Sequence, residues 1–223
     1  MIKDISVFDV IGPNMIGPSS SHTAGALKIA LIAGKLADSK IRKSHFILYG
    51  SFAKTYKGHG TDRALLGGIL GFCTEDPRIR DSYFYANQAG LQYQFEINET
   101  DRDVHPNTVD IMLTCESGTT VSCRGISTGG GNCKIEKIDD IEVDLTGNYA
   151  TLLIRQRDTF GVVAYITKCL SEYQVNIAFM RLYRENKGKE AYTIIETDND
   201  IPPELLEKIR LNKDIARVMA IKI

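Results

Sequence analysis

From residue 149 onward the chain switches hydrophobic period in an order that few folds accommodate. Residues 149–155 read as a strand, 161–173 as an amphipathic helix, and 175–183 as a second strand. Arg184, Glu185, Asn186, Lys187 and Gly188 make a polar turn into a third strand at 190–197. Pro202 and Pro203 stand where a helix start tolerates proline, opening a helix through Ile209, and 215–223 closes as a strand. The order βαββαβ is that of the split βαβ, ferredoxin-like arrangement.

The block before it, ending near Thr146, Gly147 and Asn148, is less regular. Residues 24–37 carry apolar side chains at helical spacing behind Ser19, Ser20 and Ser21, which are N-cap residue types. Residues 44–52 read as a strand. Thr61 and Asp62 suit the start of a second helix, in which Gly67, Gly68 and Gly71 permit close packing. Strand patterns follow at 91–96, 108–115 and 119–126, with a hairpin signal at Glu116, Ser117 and Gly118, and one or two short strands at 135–143. Helices and strands do not alternate strictly, so the fold class is α+β (mixed α/β). The domains are expected at 1–147 and 148–223.

A net charge of −1 gives no basic field for nucleic acid or an anionic membrane surface. The first eight residues lack an apolar h-region, and no run approaches the roughly 18 apolar residues of a membrane span. A cytoplasmic location is the expectation. Cys73, Cys115, Cys123, Cys133 and Cys169 are odd in number and include no C-x-x-C pair. They read as buried thiols, not as disulfides, a zinc ribbon or a cluster site, so no metal ligand is assigned in this chain.

Two segments bring together residue types that do chemistry. In the first, Ile16, Gly17 and Pro18 shape a loop, and Ser19, Ser20, Ser21, His22 and Thr23 then meet a helix start. Free backbone N–H groups and hydroxyls there suit a carboxylate or phosphate, and the helix dipole would depress the His22 pKa. A serine-rich helix cap explains the same residues without a ligand. In the second, 50–62, a strand is expected to run into a glycine-rich loop in which Gly58 and Gly60 flank His59, before the helix at Thr61 and Asp62. An exposed loop histidine is the plainer alternative. His105, Pro106 and Asn107 form a turn before a strand. Residues 127–132 (STGGGN) offer either an anion cradle or a flexible loop, without the spacing of a phosphate-binding fingerprint.

Taken in order, the 17–23 run GPSSSHT, Gly50 with Ser51, 58–62 (GHGTD), 105–107 (HPN) and 127–131 resemble the beta subunit of bacterial iron–sulfur L-serine dehydratases. The second block resembles the ACT domain that follows in two-subunit members. The resemblance implies a first domain like the allosteric substrate-binding domain of some phosphoglycerate dehydrogenases. The reaction it implies takes L-serine to pyruvate and ammonia. The cofactor would be a [4Fe–4S] cluster, not pyridoxal phosphate, with cluster ligands on a partner alpha subunit. An open iron would act as Lewis acid on the serine hydroxyl while a base takes the Cα proton.

On that reading His22 and His59 are the catalytic candidates, a base from the alpha subunit being the alternative. Ser19, Ser20, Ser21, Thr23, Ser51, Thr61, Asp62 and Asn107 are the substrate-binding candidates. Asp158, Thr159, Gly161 and Asn176 are effector candidates of the ACT domain, although Phe160 stands where the family often has proline. Serine is the expected effector, and the sheet edge could pair with a second copy. The rival reading is a non-catalytic sensor that binds serine through its two domains, with neither partner nor iron.

Overall fold

The structure is a computed structural model that describes residues 14–101, 103–139, 141–147, 149–184 and 186–222. The opening segment, on which the reading of targeting rests, lies outside them. The chain divides into two compact units at Asp139, upstream of the 147/148 boundary read from the sequence.

In the first unit a π-helical turn, Ser20–Gly25, runs directly into α1 (Ala26–Lys35). Ser19 caps the turn with extended backbone, its hydroxyl accepting the His22 N–H at 3.1 Å. β1 (Ile41–Tyr49), α2 (Gly50–His59), α3 (Thr61–Ile69), a 3₁₀ turn (Pro77–Asp81) and α4 (Ser82–Gln88) follow. Then come β2 (Gln92–Asn98), β3 (Thr108–Cys115), β4 (Thr120–Gly129) and β5 (Asn132–Ile138). The strand order is β2-β1-β3-β4-β5, with β1 and β2 parallel and the other neighbours antiparallel.

Val109, Ile111 and Leu113 are buried while Asp110 and Met112 between them are not, so β3 turns one face to a core. Val109 pairs with Gly125, and a Cβ at Gly125 would come within 2.3 Å of Ile29. This is therefore the face that α1 covers. A Cβ at Gly68 would meet the Leu27 carbonyl at 2.5 Å, which explains the close helix contact that the glycines of α3 suggested.

The structure corrects the expected strand at 44–52 and the loop after it. β1 stops at Tyr49, and Gly50–His59 is helical. Gly50, at φ +49°, turns the chain, and the Pro106 carbonyl accepts the N–H groups of Ser51 (2.7 Å) and Phe52 (3.3 Å). Two otherwise orphaned helix donors are thus satisfied from a distant loop, a signal that local sequence does not carry. His59 is the last residue of α2, with Gly60 in the left-handed conformation behind it.

The second unit opens with β6 (Ile141–Leu145) and continues as β7 (Ala150–Arg157), α5 (Val162–Glu172), β8 (Ile177–Arg184), β9 (Glu190–Thr197), α6 (Pro203–Arg210) and β10 (Ile215–Ile221). β7 to β10 form an antiparallel sheet of order β10-β7-β9-β8, as a βαββαβ chain requires. Leu152, Ile154, Ile195 and Val218 on one face of it pack with Val162, Ile166 and Leu170 of α5 and with Leu205 and Ile209 of α6. The mixed α+β class expected from the sequence is the observed one. No helix among the described residues is long and apolar enough to cross a membrane. Cys115, Cys123, Cys133 and Cys169 are buried; Cys73 is exposed, because it falls in the irregular stretch after α3 and not on a packed face.

Candidate functional site

His22 lies in the π-helical turn, half-buried, with a hydroxyl at each ring nitrogen. Nδ1 is 3.0 Å from Ser21 Oγ and 3.4 Å from Ser19 Oγ, and Nε2 is 2.9 Å from Ser51 Oγ. Ser20 makes none of these contacts. The edge of Phe52 meets the ring at 5.2 Å, and the ring of His59 lies against it at 4.8 Å and 33°. The pKa of His22 is lowered, by burial first and by the neighbouring His59 second. The ring is thus held neutral, by causes other than the helix dipole expected from the sequence.

His59 is placed by its backbone. Its carbonyl accepts the hydroxyl of Thr23 at 3.0 Å, so Thr23 ties the two histidine segments together. A Cβ at Gly17 would lie 2.5 Å from Thr23, which requires glycine where that loop folds over it. The Nδ1 of His59 is buried and has no hydrogen-bond partner among the described residues, and the same is true of Thr61 Oγ1. Asp62, also buried, accepts the Tyr83 hydroxyl at 2.7 Å and the Arg63 N–H at 2.8 Å.

Gly50, Ser51, Pro106 and Asn98 line a cleft of about 810 Å³. Asn107 is half-buried. Its N–H donates to His105 Nδ1 at 3.1 Å and its carbonyl accepts the Ser127 N–H at 3.0 Å, which joins the 105–107 turn to β4. The expected anion cradle at 127–132 is instead the end of β4 and its turn into β5. Ser127 is fully buried, and a Cβ at Gly25 would strike its Oγ at 2.1 Å, so it packs against the π-helical turn. Phe52 and Tyr83 were not singled out from the sequence and carried no local signal there, whereas Pro106 was legible as part of the 105–107 turn.

Among the described residues no three His, Cys, Asp or Glu side chains converge as metal ligands. Burial pushes the Cys133 thiol up to about 11 and Cys123 in the same direction. The described residues do not fit an iron–sulfur cluster.

A protein of Bacillus subtilis (strain 168), described as a probable L-serine dehydratase beta chain, is 39% identical over 99% of this chain and 99% of its own. This chain belongs to the L-serine dehydratase beta-chain family. The family model for the serine dehydratase beta chain matches residues 6–98, which include both histidine segments. The L-serine dehydratase beta chain of Peptoniphilus asaccharolyticus is 42% identical over 93% of this chain and 94% of its own. A D-3-phosphoglycerate dehydrogenase of Bacillus subtilis (strain 168) is 24% identical over 71% of this chain and 30% of its own.

In the second unit the effector candidates fall into two places. Gly161, at φ +85°, caps α5, and Thr159 N–H donates to the Arg157 carbonyl at 2.9 Å. The Asp158 carboxylate accepts from Gly188 N–H (3.0 Å) and Arg184 (3.1 Å), which fastens this loop to the β8–β9 turn. The Gly188 N–H, and then Arg184, lowers its pKa. Asn176 lies at the other end of the sheet, donating to Asp198 at 2.5 Å. β7 runs the length between the two ends, on the order of 20 Å. One unit therefore does not bring Asn176 to Asp158, Thr159 and Gly161.

Proposed function

We propose that this chain is the beta subunit of a cytoplasmic L-serine dehydratase, with residues 1–147 as its dehydratase domain and 148–223 as an ACT domain. With an alpha subunit that holds a [4Fe–4S] cluster, it converts L-serine to pyruvate and ammonia. The observation that carries this reading is the His22–His59 pair. One ring has both nitrogens occupied by hydroxyls, and the other has a buried nitrogen with no partner among the described residues. His59 Nδ1 is the atom free to hold or accept a proton, while His22 orients and is kept neutral. Ser19, Ser20, Ser21, Thr23, Ser51, Thr61, Asp62 and Asn107 contribute substrate contacts or fix those that do, Thr61 with a free hydroxyl and Ser51 from the cleft wall.

Asp158, Thr159, Gly161 and Asn176 are proposed to hold serine as effector. Because they stand at two ends of one sheet, the site they form needs a second copy of the domain. The edge strand β8, with Phe179 and Leu182 exposed, is the surface for that pairing.

The test is anaerobic pyruvate formation from L-serine by this chain alone and with the alpha subunit added. Activity in the mixture alone supports a shared active site. Activity from this chain alone overturns the division of labour. Serine binding without activity in either sample favours the sensor. Calorimetry of the full chain with serine, repeated on a Gly161→Val variant, tests the effector assignment; equal heats from both remove Gly161 from it.

A further inference from the structure

A smaller pocket, about 250 Å³, opens beside His59 between the Gly17 loop, the end of α2 and the 3₁₀ turn. Lys57, Arg63 and Arg80 line it, and the described lining residues include no carboxylate. Among the described residues none of the three cations makes an ion pair. Like charges gathered around one cavity without a counter-ion repel one another. Helix electrostatics do not account for Arg63. Lys57 lies in the last turn of α2 and Arg80 in the last turn of the 3₁₀ segment, where a cation is favoured, but Arg63 is the third residue of α3, at the end where the helix dipole disfavours it. A residue set against its local preference calls for a compensating partner. His59 also lines this pocket, and its buried Nδ1 has no partner among the described residues.

We propose that this pocket binds a dianionic phosphate group, free or at the head of a small phosphate ester. Two guanidinium forks and an ammonium match the charge and the oxygen geometry of phosphate. A zwitterionic amino acid fits poorly, because its ammonium would find no carboxylate in the lining. A phosphate in this pocket lies against His59. If the dehydratase reading above holds, bound phosphate inhibits turnover; the binding itself does not depend on that reading.

Calorimetry of the full chain with inorganic phosphate, then with glycerol phosphate, tests the site without any assay of activity. Phosphate is expected to bind, and Arg63→Gln and Arg80→Gln each to weaken it by about tenfold with unchanged circular dichroism. Tighter binding of glycerol phosphate assigns the site to an ester, and tighter binding of inorganic phosphate to the free ion. No heat from the unaltered chain, undiminished binding in both variants, or serine heat abolished by the same substitutions overturns the proposal.

Discussion

The Nε2 of His22 lies 2.9 Å from the hydroxyl of Ser51, a residue 29 positions away in the first turn of a different helix. With Ser21 at Nδ1, this contact fixes the plane of the ring against which His59 rests. Ser51→Ala removes one side of that grip and leaves the backbone turn intact. Losing one hydrogen bond that orients a reacting pair is worth about 10- to 100-fold in turnover. The expected outcome is a fall in kcat of that size in the reconstituted complex, with a smaller change in KM. A loss confined to KM would place Ser51 on the substrate and not on the histidine.

The lowered pKa of His22 makes stability depend on pH in a defined direction. Its unfolded value is near 6.5 and its native value is below that, so between the two the unfolded chain binds the extra proton. Stability therefore rises with pH through this window and is lost as pH falls through it. Replacing His22 with Asn removes the contribution. Urea midpoints measured from about pH 5 to about pH 7 should rise less steeply for His22→Asn than for the native chain. Parallel curves would show that His22 titrates normally.

Gly50 combines a positive φ with a close approach. A Cβ there would come within 2.8 Å of the Pro106 backbone, at the point where Pro106 accepts the first N–H groups of α2. Gly50→Ala is expected to cost about 1–3 kcal/mol in urea unfolding and to lower activity, since Ser51 follows directly. Gly58→Ala is the control. A Cβ at Gly58 meets nothing within 4 Å, and its φ is not positive, so that variant should retain stability.

Much of this was readable in the sequence, and the gaps have physical causes. Strand β3 falls where alternation put it, at Thr108–Cys115, because it has an apolar face that only one register buries; β9, at Glu190–Thr197, was legible instead as a short run buried on both faces. Helix α2 was not readable. Its residues (GSFAKTYKGH) lack a strong apolar stripe, and its first donors are satisfied by a carbonyl from residue 106. The histidine segments were legible as chemistry, but their meeting was not. It depends on Thr23 reaching the His59 carbonyl and on Ser51 reaching His22, contacts between parts of the chain far apart in sequence. The cause of the His22 shift was equally hidden, since burial is a property of the packed structure.

Asp62 illustrates how a residue of the site is also part of the frame. Its carboxylate is buried, and the Tyr83 hydroxyl donates to it at 2.7 Å from the first turn of α4. Burial, and then Asp62 itself, raises the Tyr83 pKa, so the hydroxyl stays a donor well above neutral pH. Tyr83→Phe keeps the ring and its contacts with Tyr93 and Phe95 but leaves a buried carboxylate oxygen without that donor. Such a loss costs about 1–3 kcal/mol, against a few tenths for an exposed bond. Tyr93→Phe supplies the comparison, because its hydroxyl bonds Asn87 at 3.2 Å on the exposed surface. Urea unfolding should therefore separate the two variants, with Tyr83→Phe clearly the less stable. Equal midpoints would mean that solvent replaces the tyrosine at Asp62, and that Asp62 is open enough to take a ligand group in its place.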